Sequence, residues 1–125
     1  MTKSTNIPMP LGDAIDRISI LARKIAFGEE GAYKEHTALT EAIDKLGLKL
    51  TGSMLAAIIR ISYANFEVWN RENRFRRGED MSPEEVKQMM IEVRDFNKKR
   101  IEAKNEINRM TEMGYREFKV HHRSQ

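Results

Sequence analysis

Hydrophobic residues recur along this chain at three- and four-residue intervals, the spacing of an amphipathic helix, and the pattern predicts four of them. Leu11, Ile15, Ile18, Ala22 and Ile25 share one face of a first helix over about 11–27, begun at Gly12 or Asp13 and stopped by Gly28. Leu39, Ile43 and Leu46 line a second over about 32–46, ended by Gly47. The third, about 54–77 with Ser53 as its candidate N-cap, opens apolar at Met54, Leu55, Ile58, Ile59 and Ile61. It then turns polar on the same side, through Asn65, Trp69, Glu72, Asn73 and Arg76. Ser82-Pro83-Glu84-Glu85 starts the fourth: serine caps, proline suits the first helical position, and Glu85 completes a capping box. That helix runs to about Met113, where Gly114 stops it. Pro8 and Pro10 mark an extended lead-in, and the alternating tail Tyr115 to Val120 reads as a short strand or an extended arm.

The fourth helix keeps its period while the chemistry of its inward face changes. Val86, Met89, Met90, Val93, Phe96, Ile101 and Ile107 fall on one stripe, and Asn97, Arg100, Lys104 and Asn108 fall inside it. Asp95, Lys98, Lys99, Glu102, Glu106 and Arg109 take the solvated side. Polar groups on a core-facing stripe cost free energy unless something satisfies them. Three arrangements do so: a buried network, a subunit interface, or an anionic ligand.

Composition narrows the class. The 125 residues form one helical domain (1–125), with 40% hydrophobic residues for a core and 33% charged. No apolar run approaches the ~18–20 residues that span a bilayer, so no membrane partner is expected. Met1 to Pro10 holds one lysine and no hydrophobic segment, which does not read as a secretory signal. The absence of cysteine removes disulfides and thiolate chemistry and agrees with the cytoplasm. A net charge of +3 with interleaved signs disfavours nucleic acid as a partner. Eight methionines read as flexible core filler. With no strand–helix alternation, the class is all-α, with at most a short C-terminal strand. Thirty-odd residues of fourth helix would be ~45 Å long, against a radius of gyration of ~14 Å for a globule of this size. A long antiparallel helical hairpin that overhangs its own core predicts a homo-oligomer, most simply a two-fold dimer.

Each polar constellation has a functional and a structural reading. Antiparallel third and fourth helices bring Ser62 and Asn65 level with Arg94 and Asn97. Asn65 and Asn97 are then candidates to hydrogen-bond a base or ribose, or form an asparagine layer that fixes helix register. Arg100 and Lys104, one turn apart, converge on a phosphate or carboxylate, or else pair with Asp13, Asp16, Glu72 or a second subunit. Arg71, Arg74, Arg76 and Arg77 suit the C-terminal end of a helix dipole. Arg76 alone projects inward beside Trp69, and Trp69 or Phe66 would stack on a purine, although a core tryptophan is the commoner case.

Signals for catalysis are weak. His36 stands alone, and His121-His122 lack metal-ligand spacing. Glu102 and Glu106 read as surface partners of Lys98 and Arg109. The inner face offers amides and cations rather than the acidic cluster that magnesium-dependent helical pyrophosphatases need. No phosphate loop or nucleophile–base pair is visible, so the reading is no enzyme, no metal and no cofactor.

Two segments resemble a family of small, largely uncharacterised bacterial and phage helical proteins. Pro10-Leu11-Gly12-Asp13-Ala14-Ile15-Asp16-Arg17-Ile18-Ser19-Ile20-Leu21 is similar to that family's opening. Asn97-Lys98-Lys99-Arg100-Ile101-Glu102-Ala103-Lys104-Asn105-Glu106-Ile107-Asn108 is similar to its closing helix, and the stretch from Asn65 to Arg71 around Trp69 fits between them. The arrangement also resembles the phage anti-Thoeris sponges, oligomeric proteins that sequester cyclic ADP-ribose-type signals made by bacterial TIR enzymes. That resemblance implies a pocket of aromatic, asparagine and arginine side chains between subunits, in the host cytoplasm. The positions themselves come from the helix faces. Arg100 and Lys104 are expected to take phosphates, Asn65 and Asn97 the base or ribose, Trp69 or Phe66 to stack, and Arg76 to stand beside Trp69. The alternatives from other classes are a protein-interaction scaffold whose polar stripe is an oligomer interface, and an enzyme acting on a phosphorylated sugar or nucleotide.

Overall fold

A computed structural model describes residues 3–111 and 117–124, with side chains described over 9–111. Strand β1 (Lys3–Pro10) runs straight into α1 (Leu11–Ala26). A 3-10 turn (Glu30–Ala32) leads to α2 (Tyr33–Asp44). The long helices α3 (Gly52–Arg76) and α4 (Pro83–Met110) follow, and β2 (Glu117–Ser124) closes the chain. The protein is mostly helical, with one two-stranded sheet added. No helix among the described residues is long and apolar enough to cross a membrane.

Local chemistry explains where the helices begin and end. Helix α1 starts at Leu11, where the predicted span begins, and its N-cap is extended Pro10, with no side-chain cap, rather than Gly12 or Asp13. Thr51, not Ser53, caps α3: its hydroxyl accepts from the Met54 N–H at 3.1 Å, and Gly52 and Ser53 already lie in the helix. Ser82 and Glu85 form the reciprocal capping box expected at the start of α4. Gly78 takes a positive φ of 69° in the α3–α4 link, a conformation that favours glycine.

The tail lies antiparallel to the lead-in, with Ile7 opposite Val120 and Pro10 opposite Glu117. Both strands are edges, and an edge tolerates the missing N–H of Pro8 and Pro10.

Helix α1 is the hub. Its Leu11, Ala14 and Leu21 cluster with Leu39 of α2, Ala57 and Ile61 of α3, and Ala103 and Ile107 of α4. Each fully buried leucine or isoleucine contributes ~1.5–3 kcal/mol. Along α3 and α4, Arg60 pairs with Glu106, Tyr63 meets Phe96 edge-on, and Arg71 pairs with Glu92. Later residues of α3 therefore meet earlier residues of α4.

The backbones of α1 and α4 come unusually close at Gly12. Its N–H donates to Asn108 Oδ1 at 2.7 Å, and a Cβ there would collide with the Lys104 carbonyl. This contact sets α1 against the C-terminal half of α4. Sixteen residues of α1 cover ~24 Å, whereas twenty-eight of α4 cover ~42 Å. The N-terminal half of α4, with the C-terminal half of α3, extends past the end of α1.

Candidate functional site

Where α1 lies on α3 and α4, the polar residues of the inner stripe meet acids of α1. Asp16 is only 7% exposed. Its Oδ1 accepts from Asn65 Nδ2 at 2.8 Å, and its Oδ2 accepts from Arg100 Nη1 at 2.9 Å. Asn65 Nδ2 also donates to Ser19 Oγ at 2.6 Å, and that hydroxyl donates to the Asp16 carbonyl at 3.0 Å. One turn further along α4, Lys104 lies 3.7 Å from Asp13. Asn108, the next step, takes the Gly12 N–H. Three helices are thus tied together through one carboxylate, at a position where the helical period alone would place an apolar contact.

Nearer the C-terminal end of α1 the chemistry changes again. The Arg23 guanidinium sits over the Trp69 ring, 5.4 Å from its centroid. It has no carboxylate partner among the described residues, and its Nε is buried without a hydrogen bond. Burial pulls the Arg23 pKa below its ordinary value; Glu72 opposes that shift and the like charge of Arg76 adds to it. Arg76 reaches Glu72 only at 4.0 Å, with both side chains well exposed. Trp69 is flanked by Phe27 at 4.7 Å and by Phe66, stacked at 6.5 Å, and both flanking rings are exposed. Arg100 Nε is the second buried nitrogen left without a partner.

Glu72 and Arg76, the two charges that act on Arg23, also line a groove of about 980 Å³ between α3 and α4, whose lining does not include Arg23, Phe27, Phe66 or Trp69. Phe75, Val86, Met89, Met90, Val93 and Ile101 make its apolar lining. Glu72, Arg76, Arg94, Asn97, Lys98 and Glu102 supply the polar part.

The residues singled out from sequence therefore divide among three places. Asn65 and Arg100 belong to the Asp16 network, and Lys104 faces Asp13. Phe66 and Trp69 stack beside Arg23, while Arg76 and Asn97 line the groove. Asn65 does not share a layer with Ser62, which is exposed; its bonds go to α1. Phe96 leaves the inward stripe and lies under Arg71, 4.7 Å from its guanidinium carbon, and Lys99 at 5.3 Å. Glu106 pairs with Arg60 rather than Arg109, and Lys98 and Glu102 line the groove. Half-buried His36 sits on α2. Among the described residues no group of three or more His, Cys, Asp or Glu is placed to hold a metal. His121, His122 and the predicted helix end at Met113–Gly114 lie outside the residues whose side chains are described.

Sequence reasoning passed over Arg23 and Ser19 as site residues and took Asp16 only as one of several counter-ions. A signal was present: Asp16, Ser19 and Arg23 recur at intervals of three and four, so they form a polar stripe on a helix read only for its apolar face. No protein family, curated protein or solved structure matches this chain.

Proposed function

We propose that this protein is a non-catalytic binding protein that holds a small anion with an aromatic or apolar body between the Arg23–Trp69 corner and the groove that Glu72 and Arg76 line. The observation that carries the reading is Arg23: a partly buried guanidinium with no carboxylate in salt-bridge range among the described residues, repelled by Arg76 and packed on an indole. A desolvated charge without a partner is unfavourable, and an anion between Arg23 and Arg76 removes both the repulsion and the deficit. The Phe27–Trp69–Phe66 surface suits stacking by a planar ring, and Asn97 adds an amide. The groove volume lies at the upper end of small-molecule sites, which hold ligands of ~300–1,000 Å³. Nucleotide-derived ligands combine a flat base with phosphate charge, and the resemblance to sponges of cyclic ADP-ribose-type signals favours that class. On this reading the phosphate contacts fall to Arg23 and Arg76, while Arg100 and Lys104, already beside Asp16 and Asp13, hold the frame. The working form is a cytoplasmic oligomer of antiparallel α3–α4 hairpins, and if the chain is encoded by a phage its role is to sequester a defence signal.

A thermal-shift screen against nucleotides, cyclic nucleotides, ADP-ribose and its cyclised isomers tests this, with chromatographic recovery of each compound. A ligand at 100 times its dissociation constant adds ~2.7 kcal/mol of stability. A shift with the compound recovered intact, and lost in Arg23→Ala, supports a binder. Consumption of the compound makes the protein an enzyme, and no shift across the panel removes the reading for those ligands.

A second reading is favoured by the pairing of Arg100 with Asp16 and Lys104 with Asp13. With those cations matched, the apolar groove is left without a partner among the described residues, which suits a protein-interaction scaffold.

A further inference from the structure

We infer that a second copy of this chain covers the groove, through a two-fold contact between the faces of α3 and α4 that line it. The inference rests on the bare helical surface and does not require the ligand reading, with which it shares Arg76 and Asn97.

The groove continues the core stripe along α3 and flanks it along α4. On α3 the stripe that buries Met54, Ala57 and Ile61 under α1 runs on to Glu72 and Phe75. On α4 the stripe of Ile107 and Ala103 runs back to buried Met89, and the groove face of Val86, Met90, Val93, Asn97 and Ile101 lies beside it. Among the described residues Met89 alone of the groove's apolar lining is buried. Phe75, on the α3 stripe that is interior elsewhere, is 57% exposed, and Met90 and Ile101, on the α4 face beside the core, are 64% and 44% exposed. Apolar surface of this kind is stabilised by removal from water at ~25 cal/mol per Å².

Two observations point to a copy of the same chain as the occupant. The lining of α4 advances through Val86, Met90, Val93, Asn97 and Ile101, in steps of four, three, four and four, the seam that a helix presents to another helix. Asn97 lies within that seam with apolar residues on both sides, the kind of position at which a single asparagine fixes register and oligomer state. The rim also carries both signs around one groove: Glu72 and Glu102 with Arg76, Arg94 and Lys98. A two-fold contact brings one patch against itself, so the patch must hold both partners of every cross-interface charge pair. A polyanionic partner would instead meet two carboxylates.

Sedimentation equilibrium of the full chain without ligand, over ~1–100 µM protein, spans the micromolar dissociation constants expected of a modest interface. The expected result is twice the 14.6 kDa chain mass at the upper end. Met90→Lys is expected to raise the dissociation constant at least ~10-fold while the helical circular dichroism stays unchanged, because Met90 is already mostly exposed. Ile59→Lys, on a different exposed stripe of α3, is expected to leave the dimer intact. A chain that stays monomeric throughout overturns the inference and assigns the groove to a ligand or a different protein. So does a dimer that Met90→Lys leaves unchanged, or one that only Ile59→Lys disrupts.

Discussion

Arg100 Nη1 lies 2.9 Å from Asp16 Oδ2, and that carboxylate is the acceptor that α3 also uses, through Asn65 at 2.8 Å. Removing one member of such a pair leaves a charge or a donor without its partner, which costs ~3–5 kcal/mol in a buried site. Arg100 retains about a quarter of its side-chain exposure, so Arg100→Ala and Asp16→Ala should each fall near or below the lower bound, about 2–3 kcal/mol. Urea denaturation of the two single variants and the double variant measures this. The double should cost clearly less than the sum of the singles, because the two residues share one interaction. Simple additivity would mean that the pair contributes nothing.

Gly12 should resist even alanine. In most helices glycine to alanine gains up to ~1 kcal/mol. Here the added methyl meets the Lys104 carbonyl and the Asn108 side chain, which already holds the Gly12 N–H. Overpacking of this kind costs ~1–3 kcal/mol, so the net sign reverses and Gly12→Ala destabilises. Gly52, the first residue of α3, has open space around its Cβ position, and Gly52→Ala should be neutral or slightly stabilising. Thermal melts of the pair check the contrast, and equal effects at both positions would show that the close approach carries no weight.

Glu92 provides the acid-side test. Its hydrogen bond to Arg71, first, and to Gln88 hold its carboxyl below the ordinary glutamate range. The folded pKa is therefore lower than the unfolded one. Stability from this contact is complete above the unfolded value and is lost as pH falls through the folded one. Glu92→Gln should flatten the acid limb of the denaturation midpoint measured between about pH 3 and 6, around the unperturbed glutamate value. The Glu92 side chain is 40% exposed, so the effect should be small and should shrink further in high salt. An acid limb identical to the wild type would show that the contact is not formed in solution.

The helices were legible because each has a periodic apolar face with recognisable stops, as in α4 with its Ser82–Glu85 box. Thr51 was missed as the α3 cap because Ser53 satisfies the same local rule, and only the bond to Met54 N–H distinguishes them. Phe96 was assigned inward because a fixed period drifts over a 28-residue helix, and a few tens of degrees move a ring from the α1 side to the Arg71 side. The site was half legible. Residue types on one helix announce that a polar stripe exists, but their partners sit elsewhere in the chain: Asp16 lies 84 residues from Arg100 and 49 from Asn65. Nothing local distinguishes a counter-ion on another helix from an anionic ligand. The strand pair was hidden for the same reason, since the alternating tail shows its extended form and not that Ile7 faces Val120.

Arg23 separates a binding residue from a structural one. Its guanidinium gains a cation–π contact with Trp69, worth about 0.5–1 kcal/mol at a partly exposed site, and loses comparably from burial without a carboxylate and from the charge of Arg76. Replacement by methionine keeps the length and the packing on the indole while removing the charge. In the absence of ligand, Arg23→Met should therefore lie within about 0.5 kcal/mol of the wild type or slightly above it in urea denaturation, unlike Arg100→Ala. The same variant should lose at least ~10-fold in affinity for whichever compound the screen identifies, because a charge-assisted contact contributes ~1.5–3 kcal/mol. Calorimetric titration beside the denaturation curve separates the two effects. Destabilisation with affinity intact would make Arg23 a structural residue and move the ligand site elsewhere; unchanged stability with lost affinity would fix the anion at the Arg23–Trp69 corner.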